Sequence, residues 1–337
     1  MVPREPRSVR QIWAAFRRSP YLPAVVVLFI VAAAAGLFAG SYTYAMANPT
    51  PHRIPMAVVG TGGAAQRAAF VAGMRSELRA TVDLRNFRTY QGALQAVEEQ
   101  QVFAVIEVVG RRAVVHVVGA AGASMAELVS KAAPKVGARI GVRVTVTDLK
   151  PLQPGDPRGL ALFYISLAAV IMGFIGAIQL SVHAKALNRA ELIAFIAACS
   201  MLGGFAIAAT VDWLLGALVL PFAESWLILA LTMFTSGMVF TMFNSLIGRW
   251  AIVPTWGVMV LIGNPSSGGA VSWPLLPSPF GAVGRWLPPG ASVNAQHTAV
   301  YFGDHQHAMP FLVLAAWAAI SCGVFCAWHR RPGDGRI

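Results

Sequence analysis

Charge is what this sequence lacks. Only 12% of its 337 residues are charged, where a water-soluble chain carries about a quarter, so water alone is excluded as the solvent. With three cysteines, the disulfide-stapled class is excluded as well. Of the few lysines none stands in a GxxxxGK[ST] string, so the chain has no P-loop for a nucleotide. There is no G-x-S-x-G, no H-E-x-x-H and no carboxylate pair inside an apolar run, which leaves enzymatic chemistry without a visible constellation. What is abundant is apolar side chain, 56% of the total, gathered into runs close to the roughly 20 residues that a bilayer requires.

The first run, residues 21–47, is uncharged and follows Arg4, Arg7, Arg10, Arg17 and Arg18, opposed by Glu5 alone. The positive-inside rule therefore expects a cytoplasmic basic segment at 1–20 and transmembrane helix 1 at 21–47. Ala45-Met46-Ala47 would pass as a signal cleavage site, yet the run outlasts the apolar core of a secretory signal, about 7 to 15 residues. An uncleaved anchor is the better reading. Further runs follow at 160–182, 192–212, 226–248 and 311–328, with Lys185, Arg189 and Arg249 on one side and Glu224 on the other. Residues 251–263 supply only 13 apolar positions before Asn264-Pro265, about 20 Å of helix, so this segment is either short or broken. Parity asks it to cross, because the last apolar run is followed by His329, Arg330 and Arg331, which the positive-inside rule places in the cytoplasm. The expected architecture is a polytopic α-helical membrane protein of six transmembrane helices, helices 2–6 lying within 157–328, with a cytoplasmic tail at 329–337. Asp212 falls about 30 Å beyond Leu192 along a helix, where a solvated carboxylate at the outer interface is expected more than a proton relay.

Residues 48–156 differ in composition, holding 13 basic and 8 acidic residues. Strand-like IPMAVVG at 54–60, VDLRNF at 82–87, VFAVIEV at 102–108, RRAVVHVV at 111–118 and VRVTVTDL at 142–149 alternate with helix-like stretches at 64–79 and beyond. Gly110 marks a hairpin, and Pro134 is expected to interrupt the helix around it. This is an α/β domain inserted between helices 1 and 2 and placed outside the cytoplasm. The formal charge of +12 is thereby divided between topology-setting residues and this basic domain, and nucleic acid is not expected as a partner.

Between the last two runs, residues 264–309 carry only Arg285 and Asp304 as charges, with many Pro, Gly, Ser and Trp. Apolar backbone so rich in breakers is tolerated at membrane depth only when buried in protein or lining a wet cavity. Two readings stand: a re-entrant turn whose Asn264, Pro265, Ser266, Ser267, Gly268 and Gly269 form an outer gate, or an interfacial cap with Trp273 and Trp286 at headgroup level. Asp304, His305 and His307 make a D-H-x-H cluster that is poor support for a metal shell, so no metal or other cofactor is expected on this chain. Cys199, Cys322 and Cys326 read as packing residues, and Gly36 and Gly40 form a GxxxG spacing common by chance in glycine-rich spans.

The strings NPTPHRIPMAVVG at 48–60, VTVTDLKPLQPGDPRG at 144–159, GNPSSGGAV at 263–271 and RWLPPGASVNA at 285–295 resemble those of ABC type-2 membrane permeases, in particular the YhgE/phage-infection-protein group of high-G+C bacteria. Four lysines against 22 arginines fit such a genome. The resemblance implies a homodimeric export permease subunit in the bacterial plasma membrane, both termini cytoplasmic, surrounded by membrane lipids and driven by a separate ABC ATPase subunit. Its cargo would be a lipid, a hydrophobic compound or a cell-envelope precursor. It also leaves a second reading open, a non-transporting scaffold or receptor whose residues 48–156 bind envelope proteins. For the transport reading, cytoplasmic coupling is expected at Trp13, Phe16, Arg17 and Arg18 and at Lys185 and Arg189; lipid contact is the alternative role of these residues.

Overall fold

The computed structural model describes residues 19, 21–47, 51–60 and 64–328. The fold is mostly helical, with one small mixed sheet. Among the described residues five helices are long and apolar enough to cross a membrane: α1 (Tyr21–Met46), α5 (Ala161–His183), α6 (Arg189–Ala209), α7 (Phe222–Ile247) with the residues that follow it, and α11 (Ala308–Trp328). Two of them start on side-chain caps that the sequence supplies. Asp156 receives Leu160 N and Ala161 N at 3.0 and 2.8 Å, satisfying the first amides of α5. Asn188 and Glu191 form a reciprocal capping box at the start of α6. A π turn over Thr210–Leu214, which includes Asp212, extends α6 at its far end.

The bundle is built around α7, whose side chains are buried over most of its length. Small residues let neighbouring backbones approach it. A Cβ on Gly173 of α5 would collide with Met233 O, and one on Gly204 of α6 would come within 2.7 Å of Ala230 N. Ser236 Oγ donates across to Val170 O at 2.7 Å. Helix α7 ends at Gly248, whose φ of +57° only glycine adopts freely. The chain then folds back beside α7 as a 3₁₀ turn (Gly248–Ala251), α8 (Ile252–Trp256) and a π turn (Gly257–Ile262), placing Met259 and Val260 in one apolar cluster with Met238 and Val239. The segment expected to be short or broken is both.

Residues between α1 and α5 form the α/β unit: β1 (Ile54–Val59), α2 (Ala64–Leu78), β2 (Val82–Phe87), α3 (Tyr90–Glu98), β3 (Ala104–Val109), β4 (Arg112–Val117), α4 (Ala123–Ile140) and β5 (Arg143–Asp148). Strand order is β2-β1-β3-β4-β5, with β3 and β4 antiparallel and the other neighbours parallel. Alternation sends Ile54, Met56 and Val58 to the α2/α4 face and Ala57 and Val59 to the α3 face. Pro134 does not interrupt α4, which runs unbroken from Ala123 to Ile140. The reason is exposure: Pro134 sits on the solvent side, where water can bond the carbonyl that loses its amide.

The breaker-rich segment contains a helix that the sequence reading did not anticipate. After α9 (Ser278–Val283), α10 spans Pro288–Tyr301, and most of its residues are buried. It packs between α5, α7 and α11. Pro288 and Pro289 occupy its first positions, where no intrahelical donor is needed. Its start lies deep, because Ser292 meets Thr232 at 2.8 Å, ten residues or about 15 Å from the Phe222 end of α7. Its end meets the α/β unit. Phe302 fills the α3-side core, and Lys150 Nζ donates to Tyr301 O at 3.0 Å while pairing with Glu98 at 2.6 Å. Replacing Gly173 by Leu should therefore cost about 2–3 kcal/mol through forced separation of α5 and α7. Gly323→Leu, where nothing lies within 4 Å, should be neutral; melting curves of the purified protein in detergent compare the two.

Candidate functional site

A cavity of about 720 Å³ lies where α4 and β5 meet α5 and α10, and a second of about 230 Å³ adjoins it. They share Gly268, Ser272, Val293 and His297 as a wall. Each side is held by a different element. From the α/β unit come Ser124, Glu127, Thr147 and Asp148; from the linker, Asp156 and Arg158; from α10, Val293, His297 and Tyr301. Ser124 and Ser272 bridge the two halves, their hydroxyls 3.1 Å apart and Ser272 N donating to Ser124 Oγ at 3.2 Å.

Asp148 and Asp156 are occupied by backbone. Asp148 Oδ1 accepts from Gly119 N at 3.0 Å and Lys150 N at 3.1 Å, and Asp156 caps α5. These carboxylates shape the lining without reacting. His297 lies outside the spanning helices, its ring against Tyr301 and Phe302 at centroid distances of 5.5 and 6.0 Å. Burial pushes its pKa down to about 4, so the imidazole is neutral at physiological pH. Burial also raises the Tyr301 phenol. The result is a cavity lined by hydroxyl, imidazole and carboxylate groups together with the apolar Leu160, Leu162 and Val293. A hydroxyl, imidazole and carboxylate do align at Thr147, His116 and Glu107, but Glu107 is 3.7 Å from the ring, beyond a hydrogen bond.

The hexapeptide expected to gate this region is divided between two roles. Asn264 is buried and donates to Tyr42 Oη of α1 at 2.7 Å. Pro265 follows in the same turn. Ser266 Oγ returns to Ile262 O at 2.7 Å, and Gly284 packs directly on Ser266 O. Ser267 O accepts from Trp273 Nε1 at 3.0 Å. Gly268, with φ of +83°, lies under the Trp273 ring, and both Gly268 and Gly269 border the large cavity. Trp273 is thus a clamp on this turn, while Trp286 is exposed and uses its carbonyl to accept Trp317 Nε1 at 2.9 Å. Sequence alone did not single out His297, because a histidine in an apolar segment gives no spacing signal.

At the opposite end of the bundle Lys185 and Arg189 border a cavity of about 340 Å³ with Thr241, Asn244 and Ser245. Arg189 also donates to Cys326 O at 3.4 Å. Trp13, Phe16, Arg17 and Arg18 lie outside the described residues. His307 faces Glu99 O at 3.2 Å, and among the described residues no three metal-binding side chains converge. No protein-family model matches the chain, and no curated protein matches it significantly.

His297 yields a signed prediction. Its folded pKa lies below the unfolded 6.5, so between about pH 6.5 and 4 the unfolded chain binds more protons and stability falls with falling pH. Thermal melts of the purified protein from pH 7.5 to 4.5 should steepen in wild type relative to His297→Gln, which removes the titrating ring.

Proposed function

We propose that the chain is the membrane subunit of an ABC type-2-like exporter, homodimeric, coupled to a separate ATPase and moving an amphipathic lipid or envelope precursor across the bacterial plasma membrane. In this reading the short return from Gly248 to Ile262 counts as the fifth of six crossings, both termini are cytoplasmic, and the α/β unit stands outside. The chain contributes no nucleotide site of its own, as its sequence lacks a P-loop.

The observation that carries the reading is α10. A helix that begins about 15 Å inside the bundle and ends beneath a large cavity is expensive to build, because interrupted backbone in a dry interior must find every partner within the protein. Transporters place such half-helices beside their substrate path. The mixed polar and apolar walls of the cavity suit a cargo with a headgroup and a tail. Lys185 and Arg189, together at the opposite end, are suited to contact an ATPase. The competing reading, a scaffold or receptor for envelope proteins, finds support in the close seating of the α/β unit through Phe302 and Lys150.

Purification in mild detergent with identification of partners separates the two. The exporter reading expects an ATPase to copurify, its hydrolysis stimulated by membrane lipid extract, and the double variant Lys185→Glu/Arg189→Glu to lower that stimulation at least fivefold. A chain that copurifies only with envelope proteins, with no ATPase, overturns it. Ser130→Trp, which projects an indole into the large cavity from α4, should lower lipid stimulation while leaving the ATPase bound.

A further inference from the structure

The end of the sheet away from the bundle holds a cluster of arginines that neither the transport nor the scaffold reading uses. Contacts to the bundle come from the ends of the strands at Ile54, Val117 and Asp148, through His52 N to Pro274 O at 2.6 Å and Lys150 to Tyr301. At the other end, Arg111 and Arg112 follow the Gly110 turn and Arg143 opens β5. The three side chains surround a groove of about 400 Å³ whose fourth wall is Gly141. Arg112 and Arg143 are register partners on adjacent strands, an arrangement in which like charges repel. Gly141, with φ of +68°, has no side chain to fill the groove, and the Arg111 guanidinium lies over it.

No ion pair joins any of the three to a carboxylate among the described residues, whereas Arg139 and Lys135 on the neighbouring α4 both pair with Glu77. One arginine on an edge strand would suffice to discourage strand pairing. Three converging guanidiniums around an open groove instead present the forked donors that match phosphate and carboxylate oxygens. We infer that Arg111, Arg112 and Arg143 form a binding site for an anion carrying more than one phosphate group, met on the side of the α/β unit turned away from the membrane. Its own bilayer is the less suitable source of that anion. Six-residue strands set the site about 17–20 Å beyond the junction, more than the roughly 8 Å over which charge is felt at physiological ionic strength.

The test uses the full chain in phosphatidylcholine nanodiscs, titrated calorimetrically with sodium tripolyphosphate at 0.15 M salt. Arg111→Gln/Arg112→Gln/Arg143→Gln should weaken binding at least tenfold. Arg53→Gln/Arg79→Gln/Arg85→Gln, which removes the same charge away from the groove and outside the large cavity, should change it less than twofold. Without tripolyphosphate the first variant should melt no lower than wild type, because a repulsion has been relieved. Absence of wild-type binding, equal loss in both variants, or a lower melting temperature in the first would overturn the assignment. A phosphatidylglycerol arm decides the source: affinity for tripolyphosphate should not change, and competition from that lipid would refute a site turned away from the bilayer.

Discussion

The structure depends on satisfying interrupted backbone inside a bundle that excludes water. An uninterrupted helix solves this internally, but the return after Gly248 and the path from Asn264 to Pro288 do not. Their polar groups are answered one by one: Tyr42 with Asn264, Trp273 with Ser267, Trp317 with the Trp286 carbonyl. Where an answer would be hardest to find, at the buried start of α10, two prolines carry no N–H that would need an acceptor. Gly284 and Gly290 then let this backbone stack against Ser266 O and Gly284 O.

The same constraint joins the two halves of the molecule. Since α10 must leave the bundle as a helix, its end projects into the α/β unit, and Phe302 becomes part of that unit's core. Lys150 lies over the Phe302 ring at 4.6 Å, bonds Tyr301 O and pairs with Glu98. A contribution from one half to the other's core means that a displacement of α10 along its axis is felt by α3 and β1. The cavity at their junction is bounded by both parties and would change shape with any such displacement.

Much of this was legible in order along the chain. The uncharged runs and the alternation of VDLRNF or RRAVVHVV reported local preferences that the fold kept, with strand ends shifting by a residue or two. Pro134 and the PPG string at 288–290 were read as breakers from the same local rules, and there the rules fell short. Proline is harmless on a solvated face or in a first turn, and which of these applies depends on what lies across the helix. His297 was hidden for a related reason: a single neutral imidazole acquires its character from burial, which no spacing encodes.

The sequence by itself determined that this chain is a membrane-embedded bundle carrying a basic α/β insertion, because hydrophobicity, charge and period are properties of the residues in line. Only the tertiary structure decided that the glycine- and proline-rich segment is a buried helix and its clamp, that Gly268 and Gly269 border the large cavity while Asn264 and Ser266 are buried in the turn before it, and that Arg111, Arg112 and Arg143 meet around Gly141. Those outcomes rest on contacts between residues tens to hundreds of positions apart. Their energies are those of burial and hydrogen bonding, and they exist only once the chain has brought the partners together.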